Sequence, residues 1–232
     1  MAKRSKGTLA LLGGGEWGSA CRELDAQLLE RSGGTEVVVL PTAAAFEHPD
    51  RAVERATTHF AGLGAKVRGL SVLRRADAED PKVVASLDEA TFVYIADGSP
   101  LHLRSALKDS KLFEAVLQAY WRGAVLAASG AGATVICDPM VDPRGGAYTV
   151  GLGVVEGLAV FPYHGTAADH LRERSIDLLP STATLVGIDE ETALIRDPDG
   201  GWRVEGAGIV TLYDGTKSAS VKAGKSVKKL QL

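Results

Sequence analysis

Residues 123–133 read Gly-Ala-Val-Leu-Ala-Ala-Ser-Gly-Ala-Gly-Ala, and a second apolar stretch, Ala133 to Cys137, follows. A buried strand that turns sharply into a helix through small residues is the setting of a nucleophile elbow, which lifts one side chain above the sheet. The neighbours must be small, because the backbone there is crowded and takes positive φ. The chemistry such a turn serves is attack of a hydroxyl on an acyl carbon, with a histidine as base. In the pattern G-x-S-x-G the nucleophile stands two residues before the closing glycine. Counting back from Gly132 puts it at Gly130, and Ser129 lies one residue earlier, between Ala127 and Ala131 in alternate register. Three readings stay open: a shifted elbow carrying Ser129, an elbow without a nucleophile, and an ordinary strand–loop–helix connection.

The elements that must hold this turn follow from periodicity. Apolar runs predict strands at 8–12, 36–40, 65–73, 91–95 and 124–128. Helical spacing predicts helices at 19–31, 49–63, 81–90, 101–107 and 109–121. Strands alternating with helices in this way predict an α/β fold with a doubly wound, mostly parallel sheet. Ligand sites in such sheets lie at the carboxyl ends of strands. Three loops rich in small residues fall there: 13–15, 97–99 and 129–132. Backbone N–H groups from two of them form an expected oxyanion hole. The glycine run at 13–15 does not complete the G-x-G-x-x-G dinucleotide pattern. Beyond the elbow the chain predicts a helix near 166–179 and a C-terminal β meander from 184 to 213. A single domain of 1–232 is expected, with an ordered core over 7–214 and a mobile tail, rich in Lys, Ser, Ala and Gly, over 216–232.

Bulk properties narrow the class. An apolar content of 45% suits a globular core, and a formal net charge of −3 gives no reason to expect nucleic acid. The apolar stretch 8–12 is too short for a leader or a membrane span, so no membrane partner is expected. Cys21 and Cys137 make no metal or disulfide pattern, which points to a reduced, cytoplasmic setting and to no metal or other cofactor.

Several stretches together resemble the peptidase E and cyanophycinase group of serine peptidases, which have a class I glutamine-amidotransferase-like fold. They are Leu12-Gly-Gly-Gly-Glu16, Leu40-Pro-Thr-Ala43, Tyr94-Ile-Ala-Asp-Gly-Ser-Pro-Leu101, the elbow through Cys137-Asp-Pro-Met140, Gly151-Leu-Gly153 and Gly187-Ile-Asp-Glu-Glu-Thr-Ala-Leu194. They stand in family order over roughly residues 7–214. The resemblance implies hydrolysis of small acidic peptides: Asp-Xaa dipeptides, or the aspartate–arginine polymer. It places the catalytic serine on Gly130, with Ser129 adjacent, and the histidine on His164. Asp142 is the first choice for the third triad member and Glu156 the second. Gly14, Gly15, Asp97, Gly98, Ser99 and Ala131 are implied as the substrate and oxyanion loops. The family has Gly-Gly where this chain has Asp97-Gly98, and a carboxylate beside a developing oxyanion is unfavourable unless it points away. Arg172 and Arg174 match part of an arginine-rich helix that could pair with a substrate carboxylate.

Two functions follow. The first is a hydrolase of small acidic peptides that relies on Ser129. The second is a catalytically inactive homologue that binds a small peptide or amino acid. A glutamine amidotransferase is disfavoured because Cys137 lies too far past the elbow. The expected partner is a small acidic peptide, and a homodimer is compatible with the sequence.

Overall fold

The computed structural model describes residues 6–215, 217–228 and 230. The first half runs β1 (Leu9–Leu12), α1 (Cys21–Ser32), β2 (Glu36–Leu40), α2 (Pro49–Ala61), β3 (Lys66–Gly69), α3 (Pro81–Ala85), β4 (Phe92–Ile95), α4 (Pro100–Leu107), α5 (Lys111–Trp121), β5 (Val125–Ser129) and α6 (Ala131–Ile136). Four short strands follow, β6 (Cys137–Asp138), β7 (Met140–Val141), β8 (Tyr148–Thr149) and β9 (Val155–Glu156), then β10 (Leu158–Phe161) and α7 (Asp169–Asp177). The chain closes with β11 (Thr184–Ile188), β12 (Thr192–Arg196), β13 (Trp202–Gly206), β14 (Ile209–Asp214), β15 (Lys217–Lys222) and β16 (Lys225–Ser226).

The main sheet has the order β16-β13-β12-β1-β5-β4-β2-β3. Its five strands from β1 to β3 are mutually parallel, and β12 joins β1 antiparallel. Both faces are covered, so successive residues of one strand serve two cores. Leu9 and Leu11 pack into one cluster with Val38, Leu40 and Ile95, whereas Ala10 and Leu12 join Val37, Val39 and Tyr94 on the other side. That is why these strands read as continuous apolar runs.

The α/β architecture stands as expected, and the differences lie at its margins. The third strand covers only 66–69 of the expected 65–73, because β3 is the sheet edge and pairs with β2 alone. The helix expected over 81–90 ends at Ala85, and the one near 166–179 spans Asp169–Asp177. The meander splits between two sheets: β12 and β13 extend the main sheet, while β11 and β14 build a second sheet in the order β10-β11-β14-β15. The segment expected as a mobile tail contributes β15, paired with β14 from Asp214↔Lys217 to Ile209↔Lys222, and β16, paired with β13. Thr216, Lys229, Gln231 and Leu232 of that expected tail lie outside the described residues.

The helix before the elbow strand is held by an internal cap. Ser110, 3% exposed, accepts the N–H of Phe113 at 3.1 Å. Ser110→Ala should lower stability by about 1 kcal/mol through loss of this cap, read as a shifted denaturant midpoint with unchanged slope.

Candidate functional site

Adjacency in the sheet brings the three small-residue loops together. β1, β5 and β4 are neighbours, so their carboxyl ends deliver Gly13–Gly15, Gly130–Gly132 and Asp97–Ser99 to one place. Gly130 caps the start of α6 at φ 50° and ψ −109°, a conformation that strains any side-chain-bearing residue. Its N–H donates to Leu12 O at 3.0 Å, which ties the turn to β1. The elbow geometry is therefore present, and its apex is glycine.

The space a side chain at the apex would use is filled by Asp97. A Cβ built on Gly130 would lie 2.2 Å from both Cγ and Oδ1 of Asp97. A working oxyanion site requires this carboxylate to point away from the loops; it points in. Oδ1 accepts the N–H of Ala131 at 2.6 Å and of Gly98 at 2.7 Å, one donor from each of two loops. These are the donors an acyl-transfer site would aim at an oxyanion. Tyr163 OH donates to Oδ2 of the same group. Tyr163 reaches it because Gly14 has no side chain: a Cβ there would stand 2.3 Å from the Tyr163 ring. Tyr163 itself sits at φ 54° and donates its N–H to Gly13 O at 2.7 Å.

Ser129 lies below this layer. It is the last residue of β5, wholly buried, and donates its hydroxyl to Glu16 Oε2 at 2.8 Å. The other Glu16 oxygen accepts the Asp97 N–H at 3.3 Å. Glu16 is only 5% exposed, and burial, reinforced by the negative charge of Asp97, pushes its carboxyl above the usual carboxylate range.

His164 follows β10 in the second sheet. Its Nε2 is 2.7 Å from Tyr213 OH, and its Nδ1 is 3.6 Å from Asp189 Oδ1. Burial lowers its pKa, with Asp189 opposing that shift. Asp142 is paired with Arg144 at 2.6 Å, which holds its carboxyl below the usual range. Glu156 is exposed on β9, whose partner strand is β6. Ser99 caps α4 through the His102 N–H at 3.4 Å. Gly15, at φ 69°, stays in the first loop. The structure thus gathers Gly14, Asp97, Gly98, Gly130 and Ala131, with Ser129 beneath them. The Ser129 hydroxyl bonds to Glu16, His164 bonds to Tyr213 and Asp142 bonds to Arg144, so neither His164 nor Asp142 joins Ser129 in a triad. Sequence reasoning gave no role to Glu16, Tyr163, Asp189 or Tyr213. Glu16 carried a signal, a carboxylate directly after a glycine run at a strand end. Tyr163 and Tyr213 carried none, since their placement depends on how the second sheet docks.

Beside Asp97 opens a cavity of about 240 Å³, lined by Pro100, Val141, Asp142, Phe161, Tyr163 and Leu171 among others. Among the described residues, no lysine, arginine or histidine lines it. Among the described residues no group of three or more His, Cys, Asp or Glu is arranged to hold a metal ion, and no helix is long and apolar enough to cross a membrane.

A mixed α/β fold with a large, mostly parallel central sheet and a C-terminal strand meander is one that solved peptidase structures share. The model of peptidase family S51 matches residues 9–201, and the chain belongs to that family. It is 29% identical over 222 residues to a cyanophycinase from Synechococcus elongatus, covering 90% of this chain and 68% of that one. A cyanophycinase from Geminocystis herdmanii is 26% identical over 243 residues, covering 97% and 87%. Among solved structures, a peptidase from an acI-B1 Actinobacterium superposes with a TM-score of 0.88 at 28% identity, covering 97% of this chain and 98% of that one. A putative peptidase E protein from Listeria monocytogenes EGD-e shares the fold, with a TM-score of 0.62 at 14% identity over 94% of this chain and 100% of that one.

Proposed function

We propose that this chain is a family S51 member that binds a small peptide or amino acid without cleaving it. The observation that carries this reading is the Asp97 carboxylate, which occupies the volume of a side chain at Gly130 and accepts both N–H groups of the expected oxyanion hole. Removing the nucleophile of a serine–histidine site costs on the order of a million-fold in rate. Ser129 does not replace it in this arrangement: its hydroxyl is buried and committed to Glu16, and His164 is committed to Tyr213. The geometry therefore favours the second of the two functions over the Ser129 hydrolase. The cavity supports retention of binding, because it is preformed and mainly apolar with a few convergent polar groups.

The test is hydrolysis of a panel of Asp-Xaa dipeptides and of the aspartate–arginine polymer, read by mass spectrometry, for this protein and its Ser129→Ala variant. Neither should release product. The variant should lose about 1 kcal/mol of stability, the value of one buried hydrogen bond. Product formation that disappears in Ser129→Ala would overturn the reading and make Ser129 the nucleophile.

A further inference from the structure

The charge pattern of the cavity differs from what an acidic peptide needs. An incoming carboxylate requires cationic or clustered N–H donors. Among the described residues no cationic side chain lines the cavity, and the two loop N–H groups that could serve are already taken by Asp97. Asp142 is neutralised by Arg144 on its outer side. Asp97 receives three neutral donors, from Gly98, Ala131 and Tyr163, and no ion pair with it occurs among the described residues. A half-buried carboxylate without a cationic partner, at the base of an apolar cavity, attracts positive charge. Its neighbour Glu16, shifted toward its neutral form, does not compete for that charge.

We infer that the cavity selects the ammonium group of a small apolar amine, an amino-acid amide or the N-terminus of an apolar peptide, with Asp97 as its counter-ion. This rests on the proposed binding function and specifies its ligand class. The ammonium donates to Oδ2, which carries only the Tyr163 hydroxyl, and the apolar body lies against Val141, Phe161 and Leu171. At about 240 Å³ the cavity suits one or two residues rather than a polymer segment. Asp97, standing where the resemblance implies glycine, then changes two properties at once. It closes the oxyanion site and reverses the preferred ligand charge.

The experiment is calorimetric titration of the full chain at pH 6.5 with leucinamide, which has an ammonium and no carboxylate, and with N-acetyl-leucine, which has the reverse. Leucinamide should bind at least tenfold more tightly. Asp97→Asn, which keeps the size of the side chain and removes the charge, should weaken leucinamide at least tenfold. Leu171→Trp fills the cavity without touching Asp97 and should abolish binding, which serves as the check if Asp97→Asn folds poorly. Equal or tighter binding of N-acetyl-leucine, undiminished leucinamide affinity in either variant, or no leucinamide binding would each overturn the inference. The recovered ligand is then weighed by mass spectrometry. Leucinamide bound and converted to leucine would contradict the non-hydrolytic reading and leave the ammonium inference standing. N-acetyl-leucine bound and intact would do the opposite.

Discussion

Gly130→Ser, made alone, should yield a protein that is less stable by about 2–4 kcal/mol and still inactive on peptides. The new Cβ would meet Asp97 Cγ at 2.2 Å, so the Asp97 side chain must rotate out. Rotation breaks its bonds to Gly98, Ala131 and Tyr163. Serine must also adopt a φ near 50°, which glycine takes without strain. Adding Asp97→Gly removes the clash and leaves only the backbone strain. The double variant should therefore be more stable than the sum of the single changes by more than about 1 kcal/mol, a coupling that a double-mutant cycle in denaturant measures. Additivity would mean that Asp97 and the elbow apex do not compete for the same space. The same cycle has a functional side: only the double variant has both a hydroxyl at the apex and two free N–H donors. Its turnover would still be limited by His164, which Tyr213 and Asp189 hold.

Glu16 gives the second large effect. Truncation by Glu16→Ala leaves the Ser129 hydroxyl and the Asp97 N–H without their acceptor and opens a hole beneath the elbow, and should cost about 2–4 kcal/mol. Glu16→Gln should behave differently, because an amide reproduces the neutral carboxyl: its carbonyl accepts from Asp97 and its N–H donates to Ser129, whose own hydroxyl re-aims. The sign of the pH dependence follows from the raised folded-state pKa. Below the ordinary value of 4.5 both folded and unfolded chains are protonated at this group, and Glu16 contributes nothing to pH dependence. As pH rises above 4.5 the unfolded chain ionises first, so native Glu16 lowers stability progressively until the folded-state pKa is passed. Gln removes that loss. Denaturant midpoints measured from acid to neutral pH should show a variant close to the native protein in acid and increasingly more stable as pH rises. Parallel curves would place an ionised carboxylate at Glu16 even in the fold.

Much of this was legible in the chain, for identifiable reasons. Parallel strands buried on both faces leave continuous apolar runs, so β1, β2, β4 and β5 were readable from Thr8-Leu-Ala-Leu-Leu12 and its counterparts. The elbow was legible only in part: counting within one short segment put Gly130 at its apex, and a shift to Ser129 or an ordinary strand–loop–helix connection stayed open until the backbone at Gly130 was placed. The division of the meander was not. Thr192–Arg196 and Ile209–Asp214 look alike as half-apolar strands, yet one pairs with β1 and the other with β11, a choice made by long-range docking. Lys217–Lys222 is polar and fully or partly exposed, and is held as a strand by backbone pairing with β14 rather than by burial. At the site, Asp97 was visible as a departure from the resemblance. Its orientation was not, because it follows from Gly14 making room for Tyr163, a contact between loops far apart in sequence.

On the proposed reading, no activated nucleophile stands at this elbow. Exposure of the protein to a fluorophosphonate, which captures an activated serine whatever its substrate, followed by location of any adduct by mass spectrometry, checks this. The arrangement of Asp97, Glu16 and Ser129 predicts an unmodified Ser129. A stoichiometric adduct on Ser129 would contradict it, and would mean that the serine beneath the elbow reaches the site after all.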